Sequence, residues 1–105
     1  MKTTLLLSAL LALAVIPTAQ ANEAIATKSG CMACHGKDKK IVGPAYKDVA
    51  AKYKDHKEAE AALFDKVRKG GTGVWGQIPM PPNPVEKLSD ADLKTVIGWI
   101  LKGAI

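Results

Sequence analysis

The sequence has few of the residues with which small domains usually hold themselves together. Its 105 residues include five aromatic side chains and two cysteines. A disulfide between Cys31 and Cys34 would close a very small loop and add little stability. The length excludes a multidomain enzyme, and the cysteine content excludes a disulfide scaffold. Because a domain this small buries little surface, we expect a metal or a bulky cofactor to complete its core.

The sequence also lacks an apolar run long enough to cross a membrane. Its longest run, residues 5–16, has 12 residues, whereas a membrane-spanning helix needs about 20. The run follows the basic Lys2 and precedes the small residues Ala19-Gln20-Ala21, a pattern typical of secretory signal peptides. We predict that residues 1–21 are a signal peptide and that residues 22–105 form one domain in the periplasm. An uncleaved anchor is the weaker alternative.

The rest of the chain predicts short helices separated by loops rich in glycine and proline. No alternating apolar pattern is long enough for a strand, so we expect an all-α domain of about four helices. Asn22 can cap a first helix that runs from Glu23 towards Gly30. Pro44 is expected at the first position of a second helix. The apolar face of that helix comprises Tyr46, Val49, Ala50 and Tyr53.

Two further helices have clearer signals at their ends. Asp55 and Glu58 have the spacing of a capping box for a third helix, which Gly70 ends. Ser89 and Asp92 predict the cap of a fourth helix. The expected buried residues of the third helix are Leu63, Phe64 and Val67, and those of the fourth are Leu93, Val96, Ile97, Ile100 and Leu101. The long, proline-rich loop between the two helices is expected to be functional.

The segment Cys31-Met32-Ala33-Cys34-His35 has the C-x-x-C-H pattern through which c-type haem is attached. Two thiols one helical turn apart can each form a thioether with one porphyrin, and the adjacent imidazole can bind its iron. A redox dithiol is the first alternative, but it is expected in a βαβ setting. A zinc site is the second, but His56 is the only further histidine. We predict one covalently bound haem c per chain.

The second axial position of the iron decides between electron transfer and ligand binding. Outside the attachment motif, the strong candidates are His56 and Met80. His56 lies in a polar run that is typical of an exposed surface. Met80 lies between two prolines, whose fixed φ angles lower the entropy that the loop loses on folding. We therefore predict His35 and Met80 as axial ligands, a pair that raises the reduction potential of haem.

Three segments carry a resemblance to a known family. They are residues 31–35, 42–53 (VGPAYKDVAAKY) and 73–83 (GVWGQIPMPPN), and the last is far more specific than the attachment motif. With these segments the chain resembles the small bacterial class I cytochromes c of the c-551/c-552 type. The resemblance covers nearly all of residues 22–105. It implies the class I cytochrome c fold, with about four short helices around one haem, and the function of an electron carrier.

The same resemblance implies roles for particular residues. Cys31 and Cys34 would form the thioethers, with His35 as the proximal and Met80 as the distal ligand. The Pro44 carbonyl would accept the proton of the other His35 ring nitrogen, which fixes the imidazole and raises its basicity.

Three residues around the ligands are implied to support them. Asn83 would hydrogen-bond near the distal sulfur, and Trp75 would direct its indole N–H to a haem propionate. Lys66 stands where relatives often have an arginine near a propionate; it keeps the charge but loses the planar fork. The first helix has Ile25-Ala26-Thr27 where relatives carry a bulkier aromatic residue, so Trp99 is expected to fill that space.

The predicted function is to shuttle single electrons to a terminal reductase or oxidase, for example a nitrite reductase or a cytochrome oxidase. With both axial positions occupied, the iron would have no vacancy for a substrate, so we predict a carrier and not an enzyme. We expect a monomer that docks transiently on redox proteins, without nucleic acid and without stable membrane insertion after processing. A five-coordinate haem protein and a haem-free thiol or zinc module are the alternatives.

Seven lysines concentrate positive charge between the attachment motif and the third helix. They could steer the protein towards acidic surfaces of its partners, although an ordinary solvated surface accounts for them equally well. They are Lys37, Lys39, Lys40, Lys47, Lys52, Lys54 and Lys57.

Overall fold

The structure, a computed structural model, describes residues 12, 13, 15 and 17–105. Most of the predicted signal peptide, residues 1–21, therefore lies outside the described residues. β-structure in the described part is limited to two isolated bridges, and the predicted all-α fold is confirmed. Its elements are α1 (Thr18–Lys28), a 3-10 helix (Cys31–Ala33), α2 (Tyr46–Tyr53), α3 (Ala59–Lys69) and α4 (Asp90–Leu101). None of the described helices combines the length and apolarity needed to cross a membrane.

Helix α1 begins earlier than the sequence predicts. It starts at Thr18, directly after Pro17, so Asn22 lies inside the helix and does not cap it. Four alanines between residues 19 and 26 have the highest intrinsic helix propensity and extend the helix in this direction. The helix ends at Lys28, and Gly30 then takes a left-handed φ of 82°. The chain thus turns directly into the cysteine segment.

Helix α2 begins later than predicted. Ala45 is extended (φ −62°, ψ 143°) and precedes the first helical residue, Tyr46, so Pro44 does not occupy the first helical position. The free N–H groups of the first turn are satisfied from outside the helix. Tyr46 N donates to the Gly36 carbonyl at 2.9 Å, and Lys47 N donates to the Lys37 carbonyl at 3.1 Å. These bonds fix α2 to the segment that follows the cysteines.

The starts of α3 and α4 differ in how they are capped. The predicted capping box of Asp55 and Glu58 does not form: Glu58 precedes α3 and makes no side-chain cap, because residues 53–59 form turns of their own. Gly70 ends α3 as expected. At α4 the predicted cap is present, since Ser89 Oγ accepts from Asp92 N at 3.2 Å.

The core lies mainly along α4, against α1, α2 and α3. Trp99 is buried and packs edge-on against Tyr46, with ring centroids 5.7 Å apart. The same cluster contains Ala26 from α1, so the small α1 side chain and the large indole share one core. Of the predicted α3 residues, Leu63 is buried, whereas Phe64 and Val67 are partly buried. The other buried cluster members are Val49, Leu88, Leu93, Val96, Ile97, Ile100 and Ala104.

Gly98 in α4 provides a test of this packing. Beyond its chain neighbours and the backbone of α4, a Cβ built on Gly98 meets no described atom within 4 Å. Alanine is favoured over glycine in a helix by about 1 kcal/mol. We expect Gly98→Ala to raise the free energy of unfolding by about 0.5–1 kcal/mol in denaturant titrations of the haem-loaded protein. A loss of stability would show that α4 requires a bare backbone at this position.

Candidate haem site

One apolar cleft contains both predicted axial ligands and both cysteines. The space inside it that the centre of a water molecule can reach is about 260 Å³, far more than the roughly 10–15 Å³ that one buried water needs. The cleft is bounded by the attachment motif, the Met80 loop and apolar side chains of the helices. Those helical side chains are Tyr46, Val49, Leu63, Val67, Leu93, Val96, Ile97 and Ile100. Its size and lining suit a large, mostly apolar group.

Cys31 begins the short helix that borders this cleft, and Cys34 directly follows the helix, three residues later. Both thiols are half-buried. Burial raises the pKa of the Cys31 thiol above its ordinary value, and the neighbouring Tyr46 hydroxyl and Lys87 ammonium oppose that rise. Burial likewise raises the pKa of the Tyr46 hydroxyl. Both groups are therefore protonated at neutral pH.

The imidazole of His35 is held with one nitrogen engaged. Nδ1 lies 2.8 Å from the Pro44 carbonyl oxygen, and because a carbonyl can only accept, Nδ1 carries the proton. The lone pair is then on Nε2, the nitrogen left to bind a metal. The ring also stacks on Tyr46, with centroids 5.1 Å apart and planes inclined by 15°. A hydrogen bond and a ring contact together fix the orientation of His35.

Gly43 is a part of this arrangement that the sequence reasoning missed. A Cβ built on Gly43 would collide with the His35 ring, so the backbone passes directly over the imidazole. Both Val42 N and Gly43 N donate to the Cys34 carbonyl, at 3.1 and 2.8 Å. The only available signal was a glycine before Pro44, which also fits an ordinary loop.

Met80 is held by its backbone next to the end of α3. Met80 N donates to the Gly71 carbonyl and Gly71 N donates to the Met80 carbonyl, both at 3.0 Å. Gly70 has a positive φ of 67°, and a Cβ there would collide with the Met80 carbonyl oxygen. The glycine that ends α3 thus also permits the close approach of the Met80 backbone.

The predicted supporting residues lie around the same cleft or its loop. Trp75 and Lys66 both line the cleft, and the Lys52 ammonium lies 5.5 Å from the centroid of the Trp75 ring. Asn83 is buried, and its amide Nδ2 donates to the Val67 and Pro81 carbonyls, both at 3.2 Å. These bonds link the Met80 loop to α3, and the role of Asn83 near the Met80 sulfur stays a prediction.

His56 lies apart from this site. It is exposed, and its ring meets Tyr53 edge-on at 5.5 Å. It is not among the described residues that line the cleft, as its polar surroundings in the sequence predicted.

Comparison with known proteins decides what this arrangement is. The sequence model of the cytochrome c family matches residues 19–104. The chain belongs to the cytochrome c family. It is 52% identical over 90 residues to cytochrome c-552 of Nitrosomonas europaea, covering 86% of this chain and 85% of that protein. It is 51% identical over 90 residues to cytochrome c-551 of Allochromatium vinosum, covering 86% of this chain and 94% of that protein.

A solved structure confirms the fold. The crystal structure of wild-type Nitrosomonas europaea cytochrome c552 matches with a TM-score of 0.72 at 51% identity, covering 77% of this chain and 98% of that one. The protein is thus a small class I cytochrome, an electron carrier with covalently attached haem c. The residues present fit that group, because an oversized apolar cleft contains two thiols, an oriented imidazole and a thioether.

Gly43→Ala tests the packing of the backbone on His35. The added methyl group must displace the imidazole or the loop, so we expect weaker axial ligation and a loss of about 1–3 kcal/mol in unfolding free energy. Haem-loaded protein should show this in denaturant titrations and in shifted imidazole resonances by NMR. Gly98→Ala is the matched control, since its Cβ has open space; equal behaviour of the two variants would contradict the assignment.

Proposed function

We propose that this cytochrome c is a periplasmic carrier that accepts single electrons from a membrane complex and delivers them to a terminal reductase or oxidase. The observation that carries the proposal is the hydrogen bond from His35 Nδ1 to the Pro44 carbonyl, which leaves Nε2 directed to metal binding in the same cleft that Met80 lines. Residues 1–21 would act as the signal peptide, and residues 22–105 as the mature domain.

In this proposal, Cys31 and Cys34 attach the cofactor and His35 and Met80 bind its iron. Each thiol would hold the porphyrin through one thioether bond to a vinyl side chain. When bound, the haem supplies a one-electron couple between Fe(III) and Fe(II). His35 and Met80 are neutral donors, and both are held by the protein backbone. They need little rearrangement when the charge changes, and with both in place no position is left for a substrate. The protein is therefore proposed to be a carrier and not an enzyme.

Two residues at the cleft are proposed to hold the haem propionates. The Lys66 ammonium supplies a positive charge, and the Trp75 indole supplies an N–H donor. Asn83 is proposed to support the loop near the Met80 sulfur, since its amide donates to the Val67 and Pro81 carbonyls.

The mouth of the cleft combines exposed apolar side chains with lysines. Two of the predicted lysines lie there: Lys40 lines the cleft, and Lys52 lies over the Trp75 ring. Lys37 is instead paired with Glu23 at 3.0 Å. Charge at the mouth favours transient docking on an acidic partner. The exposed apolar residues are Val42, Val74, Trp75 and Ile78.

Met80→Ala tests the axial assignment. Removal of the thioether should abolish the sulfur-to-iron charge-transfer band of the ferric protein and lower the reduction potential, because His/Met ligation raises it. Visible spectroscopy and redox titration measure both. If the unsubstituted protein shows no such band, or its ferrous form binds carbon monoxide rapidly, a five-coordinate haem protein replaces the carrier.

The lysines at the mouth are tested by electron-transfer kinetics with a purified oxidase. We expect Lys40→Gln combined with Lys52→Gln to lower the association rate at low salt about tenfold, and this difference should disappear as ionic strength rises. Lys57→Gln is the control because Lys57 is exposed but does not line the cleft. A rate that is independent of salt would contradict electrostatic steering.

A further inference from the structure

Arg68 occupies an unusual place in this fold. It is the next-to-last residue of α3, and its side chain is only 16% exposed. Arg68 is not among the described residues that line the haem cleft. Its guanidinium carbon lies 5.3 Å from the centroid of the Phe64 ring. A charge buried to this extent needs partners that compensate for its lost hydration.

The hydrogen-bond partners of the Arg68 side chain lie between Asn83 and Asp90, the first residue of α4. Nη1 donates to the Asn83 carbonyl at 3.0 Å and to the Leu88 carbonyl at 2.6 Å. Nη2 donates to the Asp90 carboxylate at 2.5 Å. The planar guanidinium allows these bonds at once, whereas a lysine ammonium is a single point of charge on a flexible stem.

The last turn of α3 therefore holds both ends of the Met80 loop. The loop leaves α3 at Gly70, next to the paired backbones of Gly71 and Met80. It returns to α3 at Asn83, whose N–H contacts the Val67 and Arg68 carbonyls at 3.1 and 3.2 Å. The Arg68 guanidinium in turn donates to the Asn83 carbonyl.

From this geometry we propose that Arg68 is a positioning residue that holds the Met80 loop closed and thereby keeps the thioether on the iron. The inference rests on the proposed axial role of Met80. The carbonyl bonds supply most of the effect, because Asp90 is 64% exposed and ion pairs with exposed partners contribute little.

Imidazole binding to the ferric, haem-loaded protein tests the proposal. Imidazole can take the place of Met80 only when the Met80 loop opens. A variant whose loop opens more easily should therefore bind imidazole more tightly. We expect Arg68→Lys and Arg68→Met to bind imidazole about tenfold more tightly, since hydrogen bonds to a charged group are among the stronger ones. Asp90→Asn should change the affinity less than about threefold. Lys69→Gln, at an exposed neighbouring position, should leave it unchanged.

Hydrogen exchange separates positioning from general stabilisation. In the Arg68 variants the amides of Met80 and Asn83 should exchange faster, while that of Ile97 in α4 should not. Unchanged imidazole affinity, an equally accelerated Ile97 amide, or failure of both variants to yield haem-loaded protein would overturn the proposal. A missing sulfur-to-iron band in the unsubstituted protein is a separate result, which would overturn the Met80 assignment and this inference together.

Discussion

The hydrogen bond between His35 Nδ1 and the Pro44 carbonyl is the constraint on which the rest of the site depends. It can form only because Gly43 brings the backbone against the imidazole and because Ala45 remains extended before α2 begins. The first N–H groups of α2 in turn bind the carbonyls of Gly36 and Lys37. A short stretch of backbone therefore sets the tautomer of the His35 imidazole, its orientation and the position of α2.

The last turn of α3 is the corresponding support for the Met80 loop. Gly70 allows the Met80 backbone to approach, and Arg68 and Asn83 hold the chain where the loop returns to α3. The two supports differ in strength. His35 directly follows Cys34, so the backbone ties its position to the cysteines. The Met80 loop relies on hydrogen bonds, each worth about 0.5–3 kcal/mol. The position of Met80 therefore depends more on the surrounding protein than that of His35 does.

Sequence patterns predicted the features that depend on local chemistry. The Ser89 cap, the end of α3 at Gly70 and the apolar face of α4 follow from residues within one or two turns. Predictions failed where distant backbone decided the outcome. Pro44 lies outside α2 because carbonyls of residues 36 and 37 satisfy the start of that helix. Arg68 lies in the last turn of α3, where any cation suits the helix C-terminus, and its partners, 15 to 22 residues away, have no local sequence signal.

Core and cofactor site are not separate parts of this protein. Val96, Ile97 and Ile100 are buried members of the core cluster and also line the haem cleft. A group that fills the cleft therefore adds contacts to the same side chains that hold α4 against the other helices. Because covalently attached haem stays on the chain when it unfolds, the haem stabilises the fold through the apolar contacts that it makes only in the folded state. The scarcity of aromatic residues and cysteines is consistent with this arrangement, since the haem supplies the large apolar surface that the sequence itself lacks.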